Sequence, residues 1–188
     1  MNRRRFLAAG FAGTALLGVG GSLAWVTTGY TLPSGDVAIG LSTKELAIVR
    51  AIVEAIAPAS QGLPGGLALG VHQRVDEEIW AADPADASDL RAAIQLLEHL
   101  PPVFGFPGRF SRLSVADRTA CFEAYLRAGP TVVVQAANGL KQMIHLFTYC
   151  SESSWAGIGY DGPWVKSAKL PASSVHYAEL AAARRGAS

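Results

Sequence analysis

Few residues of this sequence are equipped for chemistry. Of 188 residues only two are cysteine, Cys121 and Cys150, and only four are histidine. There is no Cys-x-x-Cys to hold a metal, and no Cys-x-x-Cys-His to hold haem covalently. His72, His99, His145 and His176 form no His-x-x-x-His pair, which would set two imidazoles on one helix face, and no Glu-x-x-His pair of the di-iron kind. His72 and Asp76, four residues apart, offer two ligands at most and read better as a surface contact. No Gly-x-Ser-x-Gly elbow occurs, and Ser151, Ser153 and Ser154 have no His and Asp nearby to activate them. A Gly-x-Gly-x-x-Gly behind a strand is missing too, because the early glycines sit in an apolar helix. Asp76 and Glu77 are adjacent, so they point apart on a helix and read as a solvated face. These absences speak against catalysis, cofactor binding or metal binding by this chain alone.

Charge is also sparse, at 16% of residues, with sixteen basic side chains against fifteen acidic ones. Three of the basic ones, Arg3, Arg4 and Arg5, belong to the leader, which leaves thirteen against fifteen for the rest. That balance, with no further Lys/Arg run, excludes nucleic acid as a partner. Hydrophobic residues make up 50%, enough for a sizeable core in one domain plus a targeting segment.

The targeting segment opens Met-Asn-Arg-Arg-Arg-Phe-Leu. A paired arginine, one further residue and two apolar ones resemble the twin-arginine export signal, with Arg3 and Arg4 as the pair and Phe6 and Leu7 behind them. Residues 8–26 carry no charge and are rich in Ala, Gly and Leu, which suits an apolar helix of about bilayer length. The arginines before it and Asp36 after it orient the N-terminus toward the cytoplasm. Ser22-Leu23-Ala24 offers small residues to a signal peptidase without a plain Ala-x-Ala, so cleavage and retention as a membrane anchor both stay open. Either way the rest of the chain is expected outside the cytoplasm, in the periplasm or on the outer face of the membrane. The twin-arginine translocase moves folded proteins, which implies a cofactor or a partner loaded beforehand.

Beyond residues 1–30 the organisation reads as helical. Residues 31–40 contain Pro33, Ser34 and two glycines and read as a linker. Ser42-Thr43-Lys44-Glu45 is a capping box, followed by Leu46, Val49, Ile52, Val53 and Ile56 at helical spacing. A loop over residues 61–66, a helix from about Val71 to Ala81, and a helix capped by Asp86 or Ser88 and ended by Pro101-Pro102 come next. Phe104 and Phe106 lie among breakers and should pack on the core. Ser114 caps another helix, and a long one runs from about Thr131 to Cys150. The pattern predicts an all-α fold: an orthogonal bundle of four or five helices over residues 41–165, then a tail over 166–188. An oxidising compartment permits a disulfide between Cys121 and Cys150, although two cysteines in a hydrophobic chain equally suit buried thiols.

The unusual stretch is residues 151–165, where Trp155, Tyr160 and Trp164 stand among glycines and Pro163 directly after the long helix. Large aromatics beside breakers suit an interface anchor. Trp155, Ile158, Tyr160, Asp161 and Trp164 are therefore candidate contacts for a partner. The competing reading is an aromatic plug closing one end of the bundle.

The leader, the opening helix Leu41-Ser42-Thr43-Lys44-Glu45-Leu46 through Ile56-Ala57-Pro58, and Trp155-Ala156-Gly157-Ile158-Gly159-Tyr160-Asp161-Gly162-Pro163 together resemble the gluconate 2-dehydrogenase subunit 3 family. The likeness spans roughly residues 40 to 165. It departs from the family at Ala57-Pro58-Ala59-Ser60, where an acidic Ile-Pro-x-Asp ending is usual. The resemblance implies a small accessory subunit without catalytic residues. Such a subunit binds a glucose-methanol-choline type FAD-dependent dehydrogenase lacking its own signal and carries it across folded. FAD would then belong to the partner, and a cytochrome c subunit with haem often completes the complex. Two other readings stay open: an independent periplasmic binding or enzymatic domain, and an anchored envelope scaffold.

Overall fold

The computed structural model describes residues 29–163 and 172–186. The leader with Arg3, Arg4, Phe6 and Leu7 lies outside the described residues, as does Trp164.

Helix α1 (Thr43–Ile56) begins at the capping box: Ser42 Oγ accepts from the Glu45 amide at 3.2 Å, and the Glu45 carboxylate accepts from the Ser42 amide at 2.9 Å. Its Leu46, Ile48, Val49, Ile52 and Val53 are buried. An apolar surface that wide cannot face water, and α1 accordingly contacts four other helices: α2 (Val71–Ala81), α3 (Pro84–His99), α4 (Val115–Ala128) and α5 (Thr131–Tyr149). Phe110, Phe122 and Tyr125 fill the core beside it, and Phe104 lies edge-on to Tyr125 at 4.9 Å. The cap of α3 is Asp83, one turn earlier than the sequence suggests. Its carboxylate accepts from the Ala85 amide, and Pro84 takes the first helical position, where a missing N–H costs nothing. A short helix α6 (Glu152–Trp155) follows α5, and α7 (Ala172–Gly186) closes the described chain. The fold is all-α, with no strand among the described residues beyond one isolated bridge between Ser60 and Leu63.

Two carboxylates with no solvent exposure hold the irregular segments to this bundle. Glu98, on α3, accepts from Tyr30 Oη at 2.8 Å, from the Ser111 amide at 2.9 Å and from Ser111 Oγ at 2.6 Å. Arg109, itself buried, stands 3.6 Å from the same carboxylate and lays its guanidinium 4.0 Å over the Tyr30 ring. Burial and the Glu98 charge push the Tyr30 phenol far above its ordinary pKa, so it remains the donor. Burial, with Lys44 and Arg109 nearby, pulls His99 down to about 4. Its neutral ring can then accept from Lys44 Nζ at 3.5 Å.

Asp76, on α2, is the second. It accepts from the Ile39 amide at 2.9 Å, the Leu41 amide at 2.7 Å and Tyr177 Oη at 2.7 Å. The solvated face read from Asp76 and Glu77 is thus wrong for Asp76. A carboxylate can be buried when it collects donors, and here two backbone amides and a phenol supply them. The stretch read as a linker has no regular structure, yet Val37 and Ala38 are buried. Arg91 donates to the Gly40 carbonyl and Arg184 to that of Ala38. Residues read as a tail likewise form α7, whose Tyr177 and Ala181 pack with Val37, Ile39 and Trp80. His72 is buried as well. Its Nε2 lies 3.1 Å from Asp36 Oδ1 and 3.0 Å from Arg50, rather than pairing with Asp76 on the surface.

Truncating Glu98 removes the acceptor shared by Tyr30 and Ser111 and the carboxylate beside the buried Arg109 guanidinium. Glu98→Ala should therefore lower the unfolding free energy by about 3–5 kcal/mol in urea titrations of the purified chain. A loss below about 1 kcal/mol would contradict this arrangement.

Candidate partner interface

The segment after α5 is built from residues whose positions leave little choice. Ser154 is buried and donates to the Thr148 carbonyl at 2.7 Å, closing the end of α5. Trp155 Nε1 donates to the Tyr149 carbonyl at 3.1 Å, and the Tyr160 amide donates to the Trp155 carbonyl at 2.9 Å. The two rings meet edge-on, with centroids 5.3 Å apart. A Cβ at Gly157 would collide with the Gly62 carbonyl oxygen, so this glycine lets the loop lie against residues 59–66. Gly162 has φ +104 and passes over the face of Trp155, where a Cβ would stand 3.0 Å from the ring. Both positions therefore require glycine.

The result is a ledge with two kinds of residue. Trp155 is half-buried and serves as the plug. Ile158 and Tyr160 are 45% and 43% exposed and project from it, with Asp161 also exposed. Trp155 takes the place the plug reading gives it, while Ile158, Tyr160 and Asp161 stay on the surface. Trp164, the remaining candidate, lies outside the described residues. Two neighbours were not singled out from the sequence: Tyr149 and Leu146, the exposed end of α5, at 45% and 58%. Their signal was available, since both lie opposite Ile144 and Thr148 of the buried face.

A separate cleft of about 490 Å³ opens beside Tyr30, lined by Arg50, Arg112, Arg118, Glu54 and Ser111 among others. Its arginines are engaged within the chain. Arg50 pairs with Asp36, Arg118 with Glu54 at 2.5 Å, and Arg112 donates to the Gly29 carbonyl at 3.0 Å. Among the described residues no three His, Cys, Asp or Glu side chains converge as a metal set. Nor is any helix among them long and apolar enough to cross a membrane.

Residues 43–162 match the family model described as gluconate 2-dehydrogenase subunit 3. The chain belongs to that family. The matched stretch starts with the first residue of α1 and ends at the glycine laid over Trp155, so it includes the ledge. This subunit family's name ties it to a gluconate 2-dehydrogenase complex. No curated protein and no solved structure matches the chain.

Cys121 and Cys150 are not bridged. Cys121 is buried on α4, where loss of solvation raises its thiol pKa, and Cys150 is exposed beyond the end of α5. The two thiols thus sit in different settings, one inside the core and one facing solvent. Thiol titration of the native full-length chain should find one reactive cysteine, and two after denaturation, with no change on prior reduction. One released thiol pair on reduction would mean the bridge exists.

Proposed function

We propose that this chain is the non-catalytic small subunit of a membrane-associated flavin dehydrogenase complex. It binds a glucose-methanol-choline type FAD-dependent subunit, supports its maturation, and carries it out of the cytoplasm on its own twin-arginine leader. The observation that carries the proposal is the family match, which ends on an exposed aromatic ledge rather than on a catalytic constellation.

The physics of the ledge supports docking. Ile158 and Tyr160 are large exposed side chains, and Tyr160 is braced edge-on by Trp155, so a partner that covers them gains apolar burial. FAD would sit in the large subunit, and electrons would leave through a cytochrome c subunit where one is present. The twin-arginine route fits this division, since a flavoprotein folded around its cofactor must cross intact. Delivery would leave the complex in the periplasm, on the outer face of the cytoplasmic membrane, held by the apolar stretch over residues 8–26 if the leader is kept. The sequence readings of an independent enzymatic or binding domain and of a partner-free scaffold gain no support from the ledge or the cleft.

The leader tests this directly. With Arg3→Lys and Arg4→Lys together, the partner flavoprotein should accumulate in the cytoplasm, and envelope dehydrogenase activity should fall at least tenfold. Normal export of the flavoprotein beside the doubly substituted chain would sink the escort role.

A further inference from the structure

Helix α5 turns an uncharged face to solvent. Its outward residues are Thr131, Gln135, Asn138, Gly139, Gln142, Leu146 and Tyr149, spaced three or four apart except for the adjacent Asn138 and Gly139, so they form one stripe along the helix. None is charged, and the single charged residue of α5, Lys141, is half-buried at the side. The exposed residues of α4 include Asp117, Glu123 and Arg127, and those of α7 include Glu179, Arg184 and Arg185. The stripe runs about 27 Å at 1.5 Å per residue, and its far end is Tyr149, whose carbonyl accepts from Trp155 of the ledge.

Gly139 stands in the middle of that stripe. Glycine inside a helix costs about 1 kcal/mol relative to alanine. Nothing in the described chain requires it here, because an added Cβ would meet no atom within 4 Å. By contrast, Gly40, Gly129 and Gly157 each face an atom of the chain closer than 3 Å to such a Cβ. A glycine without an internal reason, on an uncharged exposed face, is what a close crossing of another backbone needs.

We infer that the outward face of α5 is the second half of the contact with the dehydrogenase subunit. A helix of that subunit, uncharged on the face it presents, crosses α5 at Gly139. The inference rests on the accessory-subunit reading and adds to it the orientation of the partner, which lies along α5 and ends on Ile158 and Tyr160. The lack of charge selects the occupant: a charged partner surface would lose solvation against this stripe without finding a counter-ion. The amides of Gln135, Asn138 and Gln142 can still bond to backbone or side chains across the contact.

The test is capture of the flavoprotein by the tagged full-length chain in mild detergent, read as 450 nm flavin absorbance per chain. The variants are Gly139→Ala, Gly139→Trp and Gln142→Arg, with helix content and melting temperature recorded for each purified chain. Gly139→Ala should raise the melting temperature by about 2–4 °C, because alanine is the better helix former. The same variant should nevertheless weaken capture, a pairing of effects that a purely structural role for the glycine cannot give. Gly139→Trp and Gln142→Arg should remain folded and lose capture at least tenfold. Folded variants that capture as the wild type does would overturn the inference while leaving the accessory-subunit reading intact. So would a wild-type chain that forms a dimer through this face, dissociated by Gly139→Trp without effect on capture. A wild-type chain that retains no flavoprotein would overturn both.

Discussion

The bundle is organised around the Glu98 carboxylate. A buried carboxylate is tolerated only where donors replace its lost water, and the chain meets that demand from three directions. Ser111 brings the segment between α3 and α4 inward, Arg109 supplies the opposite charge, and Tyr30 brings in the first described stretch of the chain. The same constraint recurs at Asp76, which fixes the run into α1 through two backbone amides and fixes α7 through Tyr177. Two irregular segments and a terminal helix are thus tied to a helical core by buried polar contacts, where apolar area alone would leave their register loose.

This division of labour bears on function. The polar anchors lie inside, and the arginines of the cleft beside Tyr30 are bonded within the chain. What the surface offers instead is shape and apolar area: a ledge rigidified by Trp155, and a long helix face without charge. Such a surface suits a protein partner better than it suits a small substrate, which would need convergent polar groups at the bottom of a pocket.

Helices announced themselves well in the sequence, because local signals determine them. The capping box at Ser42, the span from Val71 to Ala81, the cap at Ser114 and the long helix from Thr131 all stand where periodicity and caps place them. The misses share a physical cause. Asp76 and His72 look like surface residues because their partners, Ile39, Leu41, Tyr177 and Asp36, lie 35 to 101 positions away in the chain. Burial of a carboxylate is decided by donors that no local pattern reveals. The contacts that hold the linker and tail segments escape local patterns for the same reason, since Asp76, Arg91 and Arg184 reach them from distant parts of the chain. For the candidate interface, the aromatic and glycine spacing showed that residues 151–165 were special. Only the structure separates Trp155, which supports, from Ile158 and Tyr160, which project. The stripe on α5 was legible in principle as an outward face without charge, but it needed the fold to say which face is outward.

An accessory subunit needs a flavoprotein partner, and purification of the complex reveals one or fails to. The tagged full-length chain is purified from its native envelope in mild detergent, followed by an absorbance spectrum and mass spectrometry of the eluate. The account predicts a stoichiometric large subunit with the absorption bands of bound FAD, and substrate-dependent bleaching of those bands. A colourless chain, recovered intact and alone under conditions that preserve membrane complexes, would contradict it.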